Sequence, residues 1–191
     1  YYDKGEYDIA ISDFNDALRM GPPSGIIFHN RGNAWRSKGE YAKAIADYDQ
    51  SIKLGPPSAF SWQNRGISKR ALGDLDGALA DINEAIRLDP ALPQPLTNRA
   101  VIWRAKGDLD RAIADFEQAT RLDPKSPAAL INRGTSYGMR GDNDRAIADL
   151  DAALDGQHAL TVGRGVAGHH VADVGHQVGL GQVAAPVDAG E

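Results

Sequence analysis

The sequence predicts an all-α protein, a right-handed α-solenoid of stacked helix-turn-helix units followed by a Gly/Val/Ala-rich C-terminal tail. Three observations lead to that reading. Residues 1–154 resemble themselves at a fixed step of 34, with no insertion. Within each step, apolar residues recur at helical spacing and glycine and proline punctuate at constant places. Beyond Leu154 both patterns stop.

The step is carried by several independent positions. Gly5, Gly39, Gly73, Gly107 and Gly141 lie 34 apart, as do Ala10, Ala44, Ala78, Ala112 and Ala146. Asp13, Asp47, Asp81, Asp115 and Asp149 keep the same step, and so do Pro22, Pro56, Pro90 and Pro124. Asn-Arg-Gly recurs at 30–32, 64–66 and 132–134, with Asn98-Arg99-Ala100 between. The divisions are a partial unit 1–24, units 25–58, 59–92, 93–126 and 127–154, and a tail 155–191 expected to be irregular or disordered.

Each unit reads as two helices. First helices are expected over Ile26–Lys38, Phe60–Leu72, Pro95–Lys106 and Ala128–Arg140, each ending at the repeating glycine, which suits a left-handed cap. Second helices are expected over Tyr7–Met20, Tyr41–Leu54, Leu75–Leu88, Leu109–Leu122 and Asp144–Leu154. The repeating proline follows each second helix and stops it. Pro93, Pro95 and Pro127 open the next helix, where a missing N–H costs nothing. Gly32, Gly66, Ala100 and Gly134 in first helices face Ala44, Ala78, Ala112 and Ala146 in second helices. Such small residues let two backbones approach, and Trp35, Trp103, Tyr137, Tyr48, Ile82, Phe116 and Leu150 fill the space beside them. One helix pair cannot cover its own apolar face, so units must stack. Arg31, Arg65, Arg99 and Arg133 are expected to pair with Asp47, Asp81, Asp115 and Asp149 inside each unit. A carboxylate repeated in every unit is structural rather than catalytic, because a catalytic site is needed once.

The run Asn30-Arg31-Gly32…Trp35…Gly39-Glu40-Tyr41…Ala44…Tyr48…Ser51…Pro56 resembles the tetratricopeptide repeat, and the resemblance covers residues 1–154. It departs at Ser51, where the other units have Ala17, Ala85, Ala119 and Ala153. It departs again at Asn143, where they have Tyr7, Tyr41, Leu75 and Leu109, which suggests a looser final turn. The family's closing polar helix is missing after Leu154.

Composition narrows the function. The chain is 42% hydrophobic and 25% charged with a net charge of −5, so nothing points to nucleic acid. Without cysteine, disulfides and thiolate chemistry are excluded, while cytosol and exterior both remain open and the cytoplasm is the preferred compartment. No apolar run approaches the roughly 20 residues of a membrane span. The start at Tyr1-Tyr2-Asp3-Lys4 suggests a piece of a longer protein. The tail holds eight glycines and four of the five histidines, a composition that suits a linker or a frame-shifted read. Its His169, His170, Asp173 and His176 have metal-ligand chemistry, but the flanking sequence offers no scaffold, and no metal or other cofactor is expected. No phosphate loop or nucleophile motif occurs, so the chain is not read as an enzyme.

The resemblance implies that first helices line a concave face. That face would carry Ile26, His29, Asn30, Asn33 and Arg36, then Phe60, Gln63, Asn64, Ile67 and Arg70, then Gln94, Thr97, Asn98, Val101 and Arg104, then Ala128, Ile131, Asn132, Thr135 and Met139. The asparagines form one ladder and Arg36, Arg70 and Arg104 another, broken by Gly138. A carboxamide both donates and accepts, so a row of them can hold a peptide backbone, and guanidiniums add attraction for carboxylates. The same asparagines can instead brace neighbouring helices. The function expected is a scaffold binding an extended, acidic peptide or partner tail. The alternative is a structural module that associates with copies of itself or with the rest of a longer chain.

Overall fold

Glycine and proline set the boundaries of every helix, and the repeat sets their order. The computed structural model describes residues 6–155, so the predicted tail and its histidine cluster lie outside the described residues. The order is α1 (Tyr7–Met20), α2 (Gly25–Ser37), α3 (Tyr41–Leu54), α4 (Ala59–Ala71), α5 (Leu75–Leu88), α6 (Pro93–Ala105), α7 (Leu109–Leu122) and α8 (Pro127–Met139). A ninth helical stretch, α9, occupies 143–155. No strand occurs among the described residues. Even-numbered helices are the first of each unit and odd-numbered ones the second. Each packs on its chain neighbours, and successive first helices also touch one another. This is the expected α-solenoid.

The four second helices α1, α3, α5 and α7 run over the spans expected, while each first helix starts one or two residues earlier and stops one residue earlier. The cause is local. Ser24, Ser58, Leu92 and Ser126 are extended N-caps, so the helix begins immediately after them. Gly39, Gly73, Gly107 and Gly141 have φ of 80° to 87°, a conformation that closes the helix two residues before the glycine. The next N–H then reaches back over the cap, as Glu40 N–H does to the Trp35 carbonyl at 2.9 Å and Asp108 N–H to that of Trp103 at 2.9 Å. At α9 the helix begins at Asn143, so the departure there does not delay it.

Close approach explains the small residues. A Cβ on Gly32 would stand 2.9 Å from the Tyr48 ring, and one on Gly66 3.0 Å from the Ile82 side chain. Tyr48, Ile82 and Phe116 are fully buried as a result, and Ala100, Ala112 and Phe116 form one continuous cluster. Cations from second helices cap the aromatic rings of first helices: Lys43 lies 4.5 Å above Trp35, Arg111 3.8 Å above Trp103 and Arg145 5.0 Å above Tyr137. Unit 59–92 has Lys69 and Gly77 at these two positions, and Lys69 instead pairs with Asp81 at 2.9 Å.

All four expected ion pairs form, each with two bonds. Arg31 reaches Asp47 at 2.8 and 2.6 Å, Arg65 reaches Asp81 at 2.8 and 2.6 Å, Arg99 reaches Asp115 at 2.8 and 2.7 Å, and Arg133 reaches Asp149 at 2.7 and 2.7 Å. The third guanidinium nitrogen goes to the preceding unit: Arg31 to Asn15 at 2.6 Å, Arg65 to Asp49 at 2.6 Å and Arg99 to Asn83 at 2.8 Å. Each of these arginines therefore ties together three consecutive helices. The hydrogen bond to Asp47 raises the Arg31 pKa against the opposing effect of burial, and Asp115 does the same for Arg99.

Asp81 is 2% exposed, whereas Asp13 is exposed and makes no such pair among the described residues. Truncating Asp81 to Ala leaves Arg65 and Lys69 without their common partner, and unfolding in urea should show a loss of about 3–5 kcal/mol. Asp13→Ala should change stability by no more than about 0.5 kcal/mol. Equal losses for the two would remove the case for the buried pair as a structural tie.

Candidate functional site

Positions 30, 33 and 36 on α2 are about one helical turn apart each, and 29 lies a turn before 33, so these side chains share one broad face. The same register on α4, α6 and α8 supplies the corresponding residues. Direct bonds show that these faces adjoin. Asn64 Nδ2 donates to Asn33 Oδ1 at 2.9 Å, which also accepts from the Tyr48 hydroxyl at 2.7 Å. Arg104 donates to Asn132 Oδ1 at 3.0 Å and to its backbone carbonyl at 3.3 Å. The Asn132 amide nitrogen turns back to the Ala128 carbonyl at 2.8 Å. Four of the nine predicted site residues are thus engaged as braces between units.

The other five are not. Asn30, Asn98, Arg36, Gln63 and Arg70 are half-buried and make no side-chain hydrogen bond among the described residues. Two of them bury a polar atom without a partner: Arg36 Nε and Gln63 Oε1. Such groups are costly to leave unpaired. Arg104 has its pKa lowered, first by burial and then by the nearby Arg70 charge, so the arginine row concentrates positive potential that no carboxylate on the described chain neutralises. Ion pairs elsewhere on the first helices are satisfied; this row is not.

A second constellation lies at the N-terminal ends of α2 and α4. His29 Nδ1 lies 2.9 Å from the Ser61 hydroxyl, which lies 3.0 Å from that of Ser51. The His29 ring also packs against Tyr48 at 5.8 Å. Burial, and then the charge of Arg36, depress the His29 pKa below its ordinary 6.5. These three residues border a crevice of about 270 Å³ whose walls are Ile26, Phe60, Pro56, Gly25 and Gly55. The departure at Ser51 thereby acquires a partner that the sequence did not disclose. The available signal was that Ser51 and Ser61 both replace residues that are apolar in other units, Ala85 and Ala119 for the first, Pro95 and Ala129 for the second.

Among the described residues no group of three His, Cys, Asp or Glu side chains is arranged to hold a metal ion, and no helix is long and apolar enough to cross a membrane.

This helix-turn-helix stack, with a repeated face of asparagine and arginine, is a repeat scaffold of known type. The chain matches the tetratricopeptide repeat family over residues 1–59, 64–127 and 104–159, and it belongs to that family. Solved structures with the same fold include MamA, at TM-score 0.74 and 21% identity over 84% of this chain and 98% of that one. YrrB, described as a TPR protein with an unusual peptide-binding site, aligns at TM-score 0.65 and 22% identity over 83% of this chain and 84% of its own. The first TPR of Spaghetti (RPAP3), bound to the HSP90 peptide SRMEEVD, aligns at TM-score 0.59 and 21% identity over 61% of this chain and 93% of its own. No curated protein matches the chain.

Two consequences are measurable. Asn33→Ala removes the acceptor shared by Tyr48 and Asn64 and should lower stability by about 1–3 kcal/mol, whereas Asn98→Ala should be neutral within about 0.5 kcal/mol. Thermal melts of both variants check this, and equal losses would count against it. For His29 the folded pKa lies below the unfolded one, so its neutral form is favoured by folding. Above pH 6.5 both states are neutral and pH has no effect through this group; as pH falls below 6.5 through the folded pKa, stability is lost. His29→Gln should flatten that part of the pH–Tm profile.

Proposed function

We propose that the first-helix face binds an extended peptide or the tail of a partner protein, with acidic residues in the bound segment. Asn64, Asn98, Arg70 and Arg104 form its centre, and Asn30, Asn33, Arg36, Gln63 and Asn132 extend it. The observation that carries this reading is the contrast between two sets of arginines. Those at 31, 65, 99 and 133 are saturated by carboxylates of the fold. Arg36 and Arg70, six residues beyond Asn30 and Asn64, have no carboxylate among the described residues. A polypeptide supplies the missing complement, since its carboxylates accept from guanidinium groups and its backbone can pair with the half-buried carboxamides of Asn30 and Asn98. Two structures of the same fold, YrrB and the first TPR of Spaghetti, are described with a peptide-binding site or a bound peptide. The braced residues are compatible with this role, because bonds such as Asn33 to Asn64 fix the face before a ligand arrives.

A self-association reading has one observation in its favour: Ile147, Leu150 and Leu154 on α9 are 58%, 39% and 55% exposed. Sedimentation of the full chain over a concentration series separates the two, since the scaffold reading expects a monomer with the face open.

A displayed random-peptide library panned on the full chain tests the proposal. Acidic extended sequences should be enriched. Asn98→Ala should weaken their binding by about 1–3 kcal/mol without lowering the melting temperature. Arg70→Ala should weaken them more at low salt than at high salt, because exposed charges are screened. A library that yields no binders, or binders indifferent to both substitutions, would overturn it.

A further inference from the structure

We propose that the crevice between the N-terminal halves of α2 and α4 is the subsite for one large apolar side chain of the ligand, flanked in the ligand by an acidic residue that meets His29 and Arg36. This rests on the peptide-binding reading and adds the ligand feature that the ladders do not define.

The size of the crevice selects a side chain. At about 270 Å³ it lies below the roughly 300–1,000 Å³ of small-molecule pockets, and it is open rather than enclosed. Its rim is apolar and uncovered: Ile26 is 68% and Phe60 55% exposed, one unit apart at the same register. Its polar floor is already satisfied, because Ser51, Ser61 and His29 bond one another in a chain. An apolar group can therefore enter without stripping partners from buried hydroxyls.

One ring nitrogen of the crevice and one nearby guanidinium are left over. With Nδ1 bonded to Ser61, His29 Nε2 has no partner among the described residues. Arg36 has no ion-pair partner among the described residues, and its charge is close enough to His29 to act on it. The Arg36 cation calls for an anionic acceptor next to the apolar group, and a carboxylate on the adjoining residue of an extended chain provides it.

The repeat does not require any of this chemistry. A crevice of about 230 Å³ recurs at the same register two units on, but there Gln94, Thr97, Ala128 and Asp123 stand where the first has Ile26, His29, Phe60 and Gly55. The polar lining and the carboxylate of Asp123 disfavour an apolar, acid-flanked anchor. The ligand's anchor is thus directed to the α2–α4 end, which fixes where along the face that residue sits.

The test uses the isotope-labelled full chain and three short synthetic peptides with Gly/Ser flanks: one centred on Asp-Leu-Glu, one on Asp-Ser-Glu and one on Asn-Leu-Gln. The first should shift the NMR signals of Ile26, His29 and Phe60 in a saturable way. Replacing its leucine by serine, or Phe60→Ser in the protein, should weaken binding about tenfold or more, the effect expected for losing one buried apolar side chain. Ile26→Ser is a second rim variant at an exposed position, and both are checked by their amide spectra. The Asn-Leu-Gln peptide should bind more weakly than Asp-Leu-Glu. Equal affinities of the Leu and Ser peptides, or shifts confined to Asn64, Arg70 and Asn98, would overturn the subsite while leaving the peptide-binding face standing. Leucine-dependent shifts at the crevice that persist unchanged in an Asn98→Ala, Arg70→Ala double variant would support the subsite and count against the wider face. No saturable shift with any of the three peptides would overturn the subsite.

Discussion

The arginine that follows the asparagine ladder is the constraint on which the rest of the array depends. It lies 16 residues before the aspartate of its own unit and 16 after an Asn or Asp of the unit before it, and it bonds to both. A planar fork with fixed donor directions permits this only when the three helices hold one relative rotation and height. Burial makes the net stabilisation modest, because desolvating the charges offsets much of their attraction. What the pair supplies is a single geometry: a first helix sliding along its partner would leave a buried aspartate unpaired. Where the third contact changes, the network adapts. In the last described unit Glu117 takes a hydrogen bond from Tyr137 at 2.8 Å, and Arg133 feels it only through space.

Fixed rotation is also what makes the glycines and alanines useful. At Gly32 the α2 backbone meets the Tyr48 ring so closely that a methyl would clash, and at Gly66 the same contact is made with Ile82. The unit with Ala100 accommodates its methyl within the cluster of Ala112 and Phe116. The helix pairs keep this close approach though the residues that make it differ from unit to unit. The aromatic–cation contacts show the same economy. Unit 59–92 has no ring at that position and uses a lysine–aspartate pair instead.

With the arginines of the fold saturated and the small residues buried, the first-helix face is the surface with chemistry to spare. It divides into residues that hold neighbouring units together, such as Asn33 and Arg104, and residues that hold nothing on the described chain, such as Asn98 and Arg70. The division follows from local surroundings. Asn33 has the Tyr48 hydroxyl within reach, while the corresponding residue two units on, Val101, makes no such bond and the ring below it is Phe116. A ladder that looks uniform therefore contains both braces and unengaged groups.

The sequence by itself determined the unit length, the helix order, the left-handed glycine caps and the arginine–aspartate partners. Each of these follows from a residue type repeated at a constant step, and a constant step in sequence becomes a constant relation in space once the helices stack. It also marked Ser51 as an exception and placed the asparagine and arginine ladders on the first helices. Only the tertiary structure decided which members of those ladders are used up. That choice depends on contacts across units, 31 residues apart for Asn33 and Asn64 and 32 for His29 and Ser61, between side chains that do not repeat. The crevice walled by Ile26 and Phe60 was hidden for the same reason. Its chemistry arises where three non-periodic residues from two units converge, and no periodicity announces a feature that occurs once.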